Sequence, residues 1–411
     1  MILKPEIRDF ASGLKTLFLP NPGSQVVYVA VLVNTGTRDE ISALNGISHF
    51  IEHMVFKGTS RRKAFHILNR LDSVGGELNA YTTKENTCYY ASVAKEHAER
   101  AIELLSDMLL HSVFSDSEIE KEKSVIAEEI DMYQDYPEET IIEDFEALLY
   151  PDHAIGRPIL GTRPSLQNMS HTGLKKHCQT WYRADTMAVG ICGDVSSEKA
   201  FYWIEKYFGE VGSLHAPDHA PALASGKIFS TTTTKTVQQS HVLMGHKAPS
   251  RKARDHWPLQ ILTNLLGGPA MNSKLNLNIR EKHGLVYQIQ ATYTSFEDSG
   301  YATIYFSADE KKRERVIKLV QDELRQFCRK GISQDSLDKA IRQFTGNVLL
   351  QHDNRQNLLH FYLKELFHPV VTDTEGYLKK IRAVTPEQIQ TSALKYLQPD
   401  KLSVIQYLPE S

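Results

Sequence analysis

The sequence predicts two homologous domains of mixed α and β structure joined near the midpoint of a 411-residue chain. Three observations carry this expectation. The chain is too long for one ordinary core, and two units of roughly 200 residues each match the size at which single cores stop growing. Pro, Ala, His and Gly cluster between Gly212 and Gly226 without apolar periodicity, as in a connector between packed units. The flanking halves also echo each other. Trp181-Tyr182-Arg183-Ala184-Asp185 followed by Met187-Ala188-Val189 recurs 215 residues later as Tyr396-Leu397-Gln398-Pro399-Asp400 followed by Leu402-Ser403-Val404. Phe114-Ser115-Asp116-Ser117 opens one helical stretch as Ile332-Ser333-Gln334-Asp335 opens another, at an offset of 218. Domains are therefore expected over 1–212 and 227–411, with a linker over 213–226.

Local patterning supplies the elements. Gln25 to Val33, Tyr89 to Val93 and Thr186 to Ile191 read as strands, and Glu96 to His111 and Gly173 to Tyr182 as helices. An apolar content of 41% with 24% charged residues is that of a globular protein, and a net charge of -3 leaves no electrostatic footprint for nucleic acid or an anionic membrane surface. Cys88, Cys178, Cys192 and Cys328 are far apart and form no C-x-x-C pair, which argues against both a disulfide framework and a thiolate metal site. Met1 to Phe10 lacks the apolar run of a signal peptide, and the longest apolar stretch, Val26 to Val33, is far short of a membrane span. A cytoplasmic chain with no membrane or nucleic-acid partner is expected.

One string carries chemistry. His49-Phe50-Ile51-Glu52-His53 lies in a segment that reads as helix from about Gly46 to Phe56, ending at Gly58. Residues four apart on a helix stand over each other, so His49 and His53 can aim two imidazole nitrogens at one ion, with Glu52 on the same side. Ile47, Ile51, Met54 and Val55 form the opposing apolar stripe. A catalytic zinc takes three protein ligands and keeps an open position, so a third ligand must come from elsewhere. Ser115-Asp116-Ser117-Glu118 reads as a capping box opening a second helix. On that helix Glu129 is flanked by Val125, Ile126 and Tyr133, whereas Glu128 is flanked by Ser124, Val125 and Asp131. A carboxylate on an apolar face needs a cation, so Glu129 is the expected third ligand. Glu122, two turns earlier, reads either as a hydrogen-bond acceptor for His53 or His49 or as an exposed acid beside Lys121 and Lys123.

With these residues in place, the sequence resembles the insulinase and pitrilysin metallopeptidases, most closely the branch that includes the mitochondrial processing peptidase. The match spans nearly the whole chain. It rests on the inverted string His49 to His53, on Glu128-Glu129-Ile130 with Glu129 76 residues after His53, and on Gly75-Gly76-Glu77-Leu78-Asn79-Ala80-Tyr81-Thr82. The resemblance implies a zinc peptidase with one Zn2+ per chain, held by His49, His53 and Glu129, with Glu52 activating water and Glu122 supporting a histidine. It implies two α/β sandwich-like domains, each a mainly antiparallel sheet covered by helices. It also makes Asn79 and Ala80 part of an edge strand that pairs with an extended peptide. Without it, the same glycines would suit a surface hairpin.

In the second half, Gly267-Gly268, Ser273-Lys274-Leu275 and Ile279 to Tyr287 are similar to the second signature of the family, in which Arg280 and Tyr287 would contact substrate and reaction intermediate. The family more often has Arg at the position of Lys274, and Pro269 interrupts the glycine run. Without the resemblance Arg280 is a surface helix charge. The second half has no H-x-x-E-H and is expected to be inert alone. Family members of this length close as two-chain clamshells, which implies a homodimer with Arg280 and Tyr287 acting in trans on a peptide substrate. The competing expectation is a non-catalytic peptide-binding or scaffold subunit with the same fold.

Overall fold

A computed structural model describes residues 4–212, 215–368 and 371–410, so Ser213 and Leu214 of the expected linker, and Met1 to Leu3 of the N-terminal stretch, lie outside the described residues. The chain divides into two compact units. The first is made of Met1–Asp131, Arg157–Ala220 and Leu350–Glu375. Its sheet contains β1 (Glu6–Asp9), β2 (Lys15–Pro20), β3 (Val26–Val33), β4 (Glu77–Thr82), β5 (Thr87–Ala94) and β6 (Met187–Gly193), in the order β1-β2-β6-β3-β5-β4. β2 and β6 are parallel and the other pairs antiparallel. Helices α1 (Ile47–Met54), α2 (Ala64–Asp72), α3 (Ala98–His111) and α4 (Asp116–Gln134) follow the strands that precede them in sequence.

The second unit is made of Met132–Gly156, Pro221–Leu349 and Gly376–Ser411. Its strands β7 (Ser230–Lys235), β8 (Ser240–Lys247), β9 (Gln288–Ser295), β10 (Gly300–Ala308) and β11 (Ser403–Pro409) run in the order β7-β11-β8-β10-β9. The parallel pair is β7 with β11, and the rest are antiparallel. The order and the single parallel pair repeat those of β2-β6-β3-β5-β4. The echo between Trp181 and Tyr396 falls just before β6 and β11, which hold the same place in the two sheets.

Each sheet buries both faces, and the alternation along β3 displays the reason. Val27, Val29, Val31 and Val33 point into a core shared with α1, α2 and α3. Ala30 and Leu32 point the other way, where they meet Leu17, Leu19, Ala188 and the residues Leu358, Leu359, Tyr362 and Leu363 of the helix Arg355–Glu365. That helix comes from the second half of the sequence. Reciprocally, α5 (Pro137–Leu149) comes from the first half and belongs to the second unit, where Ile141, Phe145 and Leu149 cover Leu243, Tyr305, Ile405 and Tyr407. The expected contiguous halves therefore differ from the observed units by an exchange of one helical segment in each direction. Each buried leucine side chain in such a layer contributes about 1.5–3 kcal/mol, enough to commit a helix to the sheet it covers rather than to its neighbours in sequence.

Candidate metal centre

The local sequence starts α1 sharply. Gly46 has φ 89°, and a Cβ there would lie 2.7 Å from the Cα of Gly161, so both conformation and space require glycine. The first-turn amides are capped from outside the helix. The buried Glu40 carboxylate accepts the N–H of Gly46 at 2.7 Å, the N–H of Ser48 at 2.9 Å and the side-chain amide of Asn45 at 2.9 Å. Burial raises the pKa of Glu40 while these bonds oppose the rise. Negative charge at a helix N-terminus is favourable. Ile47, Phe50, Ile51 and Met54 are buried on the packing face, which leaves His49, Glu52 and His53 on the other.

α4 supplies the remaining side chains. Its buried residues are Ile119, Glu122 and Ile126, one stripe at helical spacing, and Glu129 lies a further turn along it. Glu129 is half-buried and Glu128 exposed. The expected frame for Glu129 included Val125, but Val125 is 46% exposed, so the inward aim comes from the stripe through Ile126. The start of the helix also differs from a capping box. The Ser115 carbonyl accepts the N–H of Glu118 and of Ile119, while the Glu118 carboxylate bonds Lys121 at 2.6 Å instead of reaching back.

The structure brings His49, His53 and Glu129 together. One ligand atom from each lies within 4.8 Å of the others, and Glu129 Oε2 is 3.7 Å from Nε2 of both histidines. Ligands at about 2.0–2.1 Å around a tetrahedral zinc stand about 3.3 Å apart, so the two spacings from Glu129 to the imidazole nitrogens fit that ion with a slight contraction. Burial and the neighbouring His53 push the pKa of His49 down to about 3, which keeps its ring neutral and its lone pair available. Burial raises Glu129, an effect that His53 opposes and Glu122 reinforces. For His53, burial acts downward, but the Glu122 hydrogen bond and the charges of Glu122, Glu129 and Glu52 outweigh it and the pKa rises.

Glu122 resolves the alternative left open by the sequence. It is 2% exposed. One carboxylate oxygen is 2.7 Å from His53 Nδ1, the other 2.6 Å from Lys57 Nζ. Lys121 and Lys123 pair elsewhere, with Glu118 and Glu120. Burial alone would raise the Glu122 pKa, yet His53 and Lys57 lower it, so an ionised acceptor orients the His53 ring and leaves Nε2 facing Glu129. Glu52 sits beside this group, with Oε2 accepting a hydrogen bond from Thr82 Oγ1 at 2.5 Å. Burial raises its pKa, opposed by the Thr82 bond and by His53, and Glu129 adds to the rise.

Asn79 and Ala80 lie on β4, the terminal strand of the first sheet, paired on one side only with Tyr90 and Tyr89 of β5. The Asn79 side-chain oxygen accepts the Ala80 N–H at 2.8 Å. Arg280 and Tyr287 belong to the second unit. Arg280 lies in the last turn of a π-helical segment, Asn276–Glu281, a geometry that recurs at functional sites. Its guanidinium is 5.9 Å from the ring centroid of Tyr287, which is 79% exposed. Sequence reading missed Lys57, Thr82 and Glu40. Of these only Lys57 left a signal, four residues after His53 and just beyond the C-terminal end of α1.

Comparison with known proteins agrees with this architecture. Two family models match, described as insulinase (peptidase family M16) over residues 15–163 and peptidase M16 inactive domain over residues 168–344. An uncharacterized zinc protease of Bacillus subtilis, YmxG, is 35% identical over 341 residues, 82% of each chain. An uncharacterized zinc protease of Mycobacterium leprae is 32% identical over 393 residues, 94% of this chain and 87% of that one. A protease from Helicobacter pylori shares the fold with a TM-score of 0.91 over the whole of both chains at 21% identity. A Pseudomonas fluorescens structure described as a peptidase M16 inactive domain reaches the same score at 18% identity, over 100% of this chain and 98% of that one. The presence of both family segments in their expected order, with relatives above 30% identity over most of their length, places this chain in the insulinase family of M16 peptidases.

Proposed function

We propose that the protein is a zinc-dependent endopeptidase that hydrolyses peptides or extended unfolded segments. The observation that carries the reading is the convergence of His49, His53 and Glu129 with the carboxylate of Glu52 alongside. Zinc held by those three side chains supplies Lewis acidity, polarising a carbonyl and acidifying a water. Glu52 accepts the proton released as the water oxygen bonds to the carbonyl carbon, then delivers it to the amine nitrogen as the C–N bond breaks. Burial raises its pKa above the ordinary carboxylate value, the direction that suits a group that must both take and return a proton. The open edge of β4 supports an extended peptide backbone as the ligand, paired next to Asn79 and Ala80.

In this reading two chains form a homodimeric chamber, and Arg280 and Tyr287 of one act on substrate held at the zinc of the other. The adjacency of the two side chains and the exposure of Tyr287 support it. The free cysteines support a reducing, cytoplasmic setting. Among the described residues no helix is long and apolar enough to cross a membrane.

The test is metal content together with mass-spectrometric mapping of products from a mixed peptide pool, with and without chelator. One zinc per chain and chelator-sensitive internal cleavage are expected. Peptide binding without cleavage would favour a scaffold role instead. For the dimer, mixing inactive Glu52→Gln chains with inactive Tyr287→Phe chains should restore part of the activity on subunit exchange. No recovery in a mixed dimer rules the trans arrangement out.

A further inference from the structure

The strand expected to receive substrate also holds the base. Thr82 is the last residue of β4, two positions after Ala80. Its hydroxyl donates to Glu52 Oε2 at 2.5 Å, and it is the only side-chain hydrogen-bond donor to Glu52 among the described residues. Glu52 itself comes from α1, so the bond ties the chemical face of the helix to the edge of the sheet. We propose that Thr82 is a positioning residue: it fixes the Glu52 carboxylate in one rotamer with Oε2 occupied, so that Oε1 is the oxygen that exchanges protons.

Three features point this way. A glutamate side chain has three torsions and loses considerable freedom when ordered, so one without a partner would sample several orientations at a half-buried site. A hydrogen bond to a carboxylate is among the stronger kinds. General-base catalysis also falls steeply when the reacting group is displaced, by roughly 100-fold for about 1 Å. Because the anchor sits on β4, order imposed on that strand by a bound peptide reaches the base directly through Thr82. The consequence for kinetics is specific. Removing the hydroxyl should act on turnover and leave both metal and substrate affinity nearly untouched.

This inference rests on the peptidase reading above, and the experiment separates the two. Wild type, Thr82→Val, which keeps the shape of the side chain, and Thr82→Ser, which keeps the hydroxyl, are compared for zinc content, thermal midpoint, kcat and KM on a peptide that wild type cleaves. Absence of cleavage by wild type would remove the peptidase reading itself. Given wild-type cleavage, the expected result is kcat lower by roughly 10- to 100-fold in Thr82→Val, with KM within about twofold and zinc content unchanged. Thr82→Ser should recover most of kcat. Crystal structures of the variants should have one Glu52 rotamer with Ser and several with Val. Wild-type kcat in Thr82→Val overturns the proposal. So does a loss accompanied by loss of zinc or of thermal stability, or a loss that Ser does not restore.

Discussion

The helix α1 and the helix His256–Gly267 hold the same place in their sheets, each between the equivalent strands β3 or β8 and the edge hairpin. Their packing faces superimpose at an offset of 212. Ile47, Phe50, Ile51 and Met54 are buried in one, and Leu259, Leu262, Thr263 and Leu266 in the other. At the same offset, His49, Glu52 and His53 become Ile261, Asn264 and Leu265. The partner helices repeat the lesson at an offset of 218. Ile119, Glu122 and Ile126 are the buried residues of α4, and Leu337, Ala340 and Phe344 those of Gln334–Asp353. Glu122 thus corresponds to Ala340 and Glu129 to Asn347. In α1 the packing face is kept by the second half while the chemical face is not, so there one can be lost without the other. In α4 the chemistry sits on the buried stripe itself, where Glu122 stands between Ile119 and Ile126 and the second half fills the same place with Ala340.

The largest expected effects fall on the chemical face. Glu52→Gln should keep one zinc and lose peptide cleavage by roughly 10²- to 10⁴-fold, measured by initial rates beside metal analysis. His53→Ala and Glu129→Gln should lose the metal itself. If Glu128→Gln lost zinc while Glu129→Gln kept it, the assignment would reverse. Conversely, the triple change Ile261→His, Asn264→Glu and Leu265→His should gain no zinc, because Asn347 and Ala340 supply neither a third ligand nor a histidine acceptor. Tight stoichiometric zinc in that variant would break the comparison.

On the packing faces the halves should behave alike. Phe50→Ala and Leu262→Ala each remove a fully buried side chain and should cost about 2–5 kcal/mol, read from urea denaturation. A near-zero cost at Leu262 would end the equivalence of the two faces.

A difference in pH response should follow from the start of the second helix. Burial, with the cations Arg251 and Lys380 adding to it, pushes buried His256 down to about 4. Its Nδ1 is 3.1 Å from the Tyr293 hydroxyl, whose own proton goes to the Pro249 carbonyl at 2.8 Å, so the neutral ring donates its N–H to the Tyr293 oxygen. Below about pH 6.5 the unfolded chain binds a proton that the folded chain refuses, so stability falls as pH drops from about 6.5 towards 4. The loss reaches about 3 kcal/mol. The residue at this position in the first half, Leu44, carries no such term. His256→Gln should flatten this part of the stability profile, and an unchanged profile would assign the slope to other groups.

The smallest expected effect makes the first half resemble the second. Glu122→Ala should weaken zinc binding by roughly 10- to 100-fold without abolishing it, measured by competition with a chelating dye. Undiminished affinity would reduce Glu122 to a packing role.

Much of the centre was legible because it depends on helical spacing alone. At 3.6 residues per turn, positions four apart such as His49 and His53 fall on one side, and the same rule separates Glu129 from Glu128 once the buried stripe of α4 is known. Thr82 and Glu40 were not legible, since each reaches α1 from an element remote in sequence and neither residue type is unusual where it stands.

Periodicity along the chain was therefore sufficient for the existence of two similar α+β halves and for the helix that carries the histidines, whereas the inward aim of Glu129 rests on the buried stripe through Ile126 that the folded chain displays. Which sheet each helix covers was decided only in three dimensions. The segments around Pro137–Leu149 and Arg355–Glu365 have apolar faces that any sheet could accept, and their sequences do not say which one. The choice belongs to tertiary packing because hydrophobic burial is non-directional, so a helix settles where its surface is most completely covered rather than where the chain happens to be nearest.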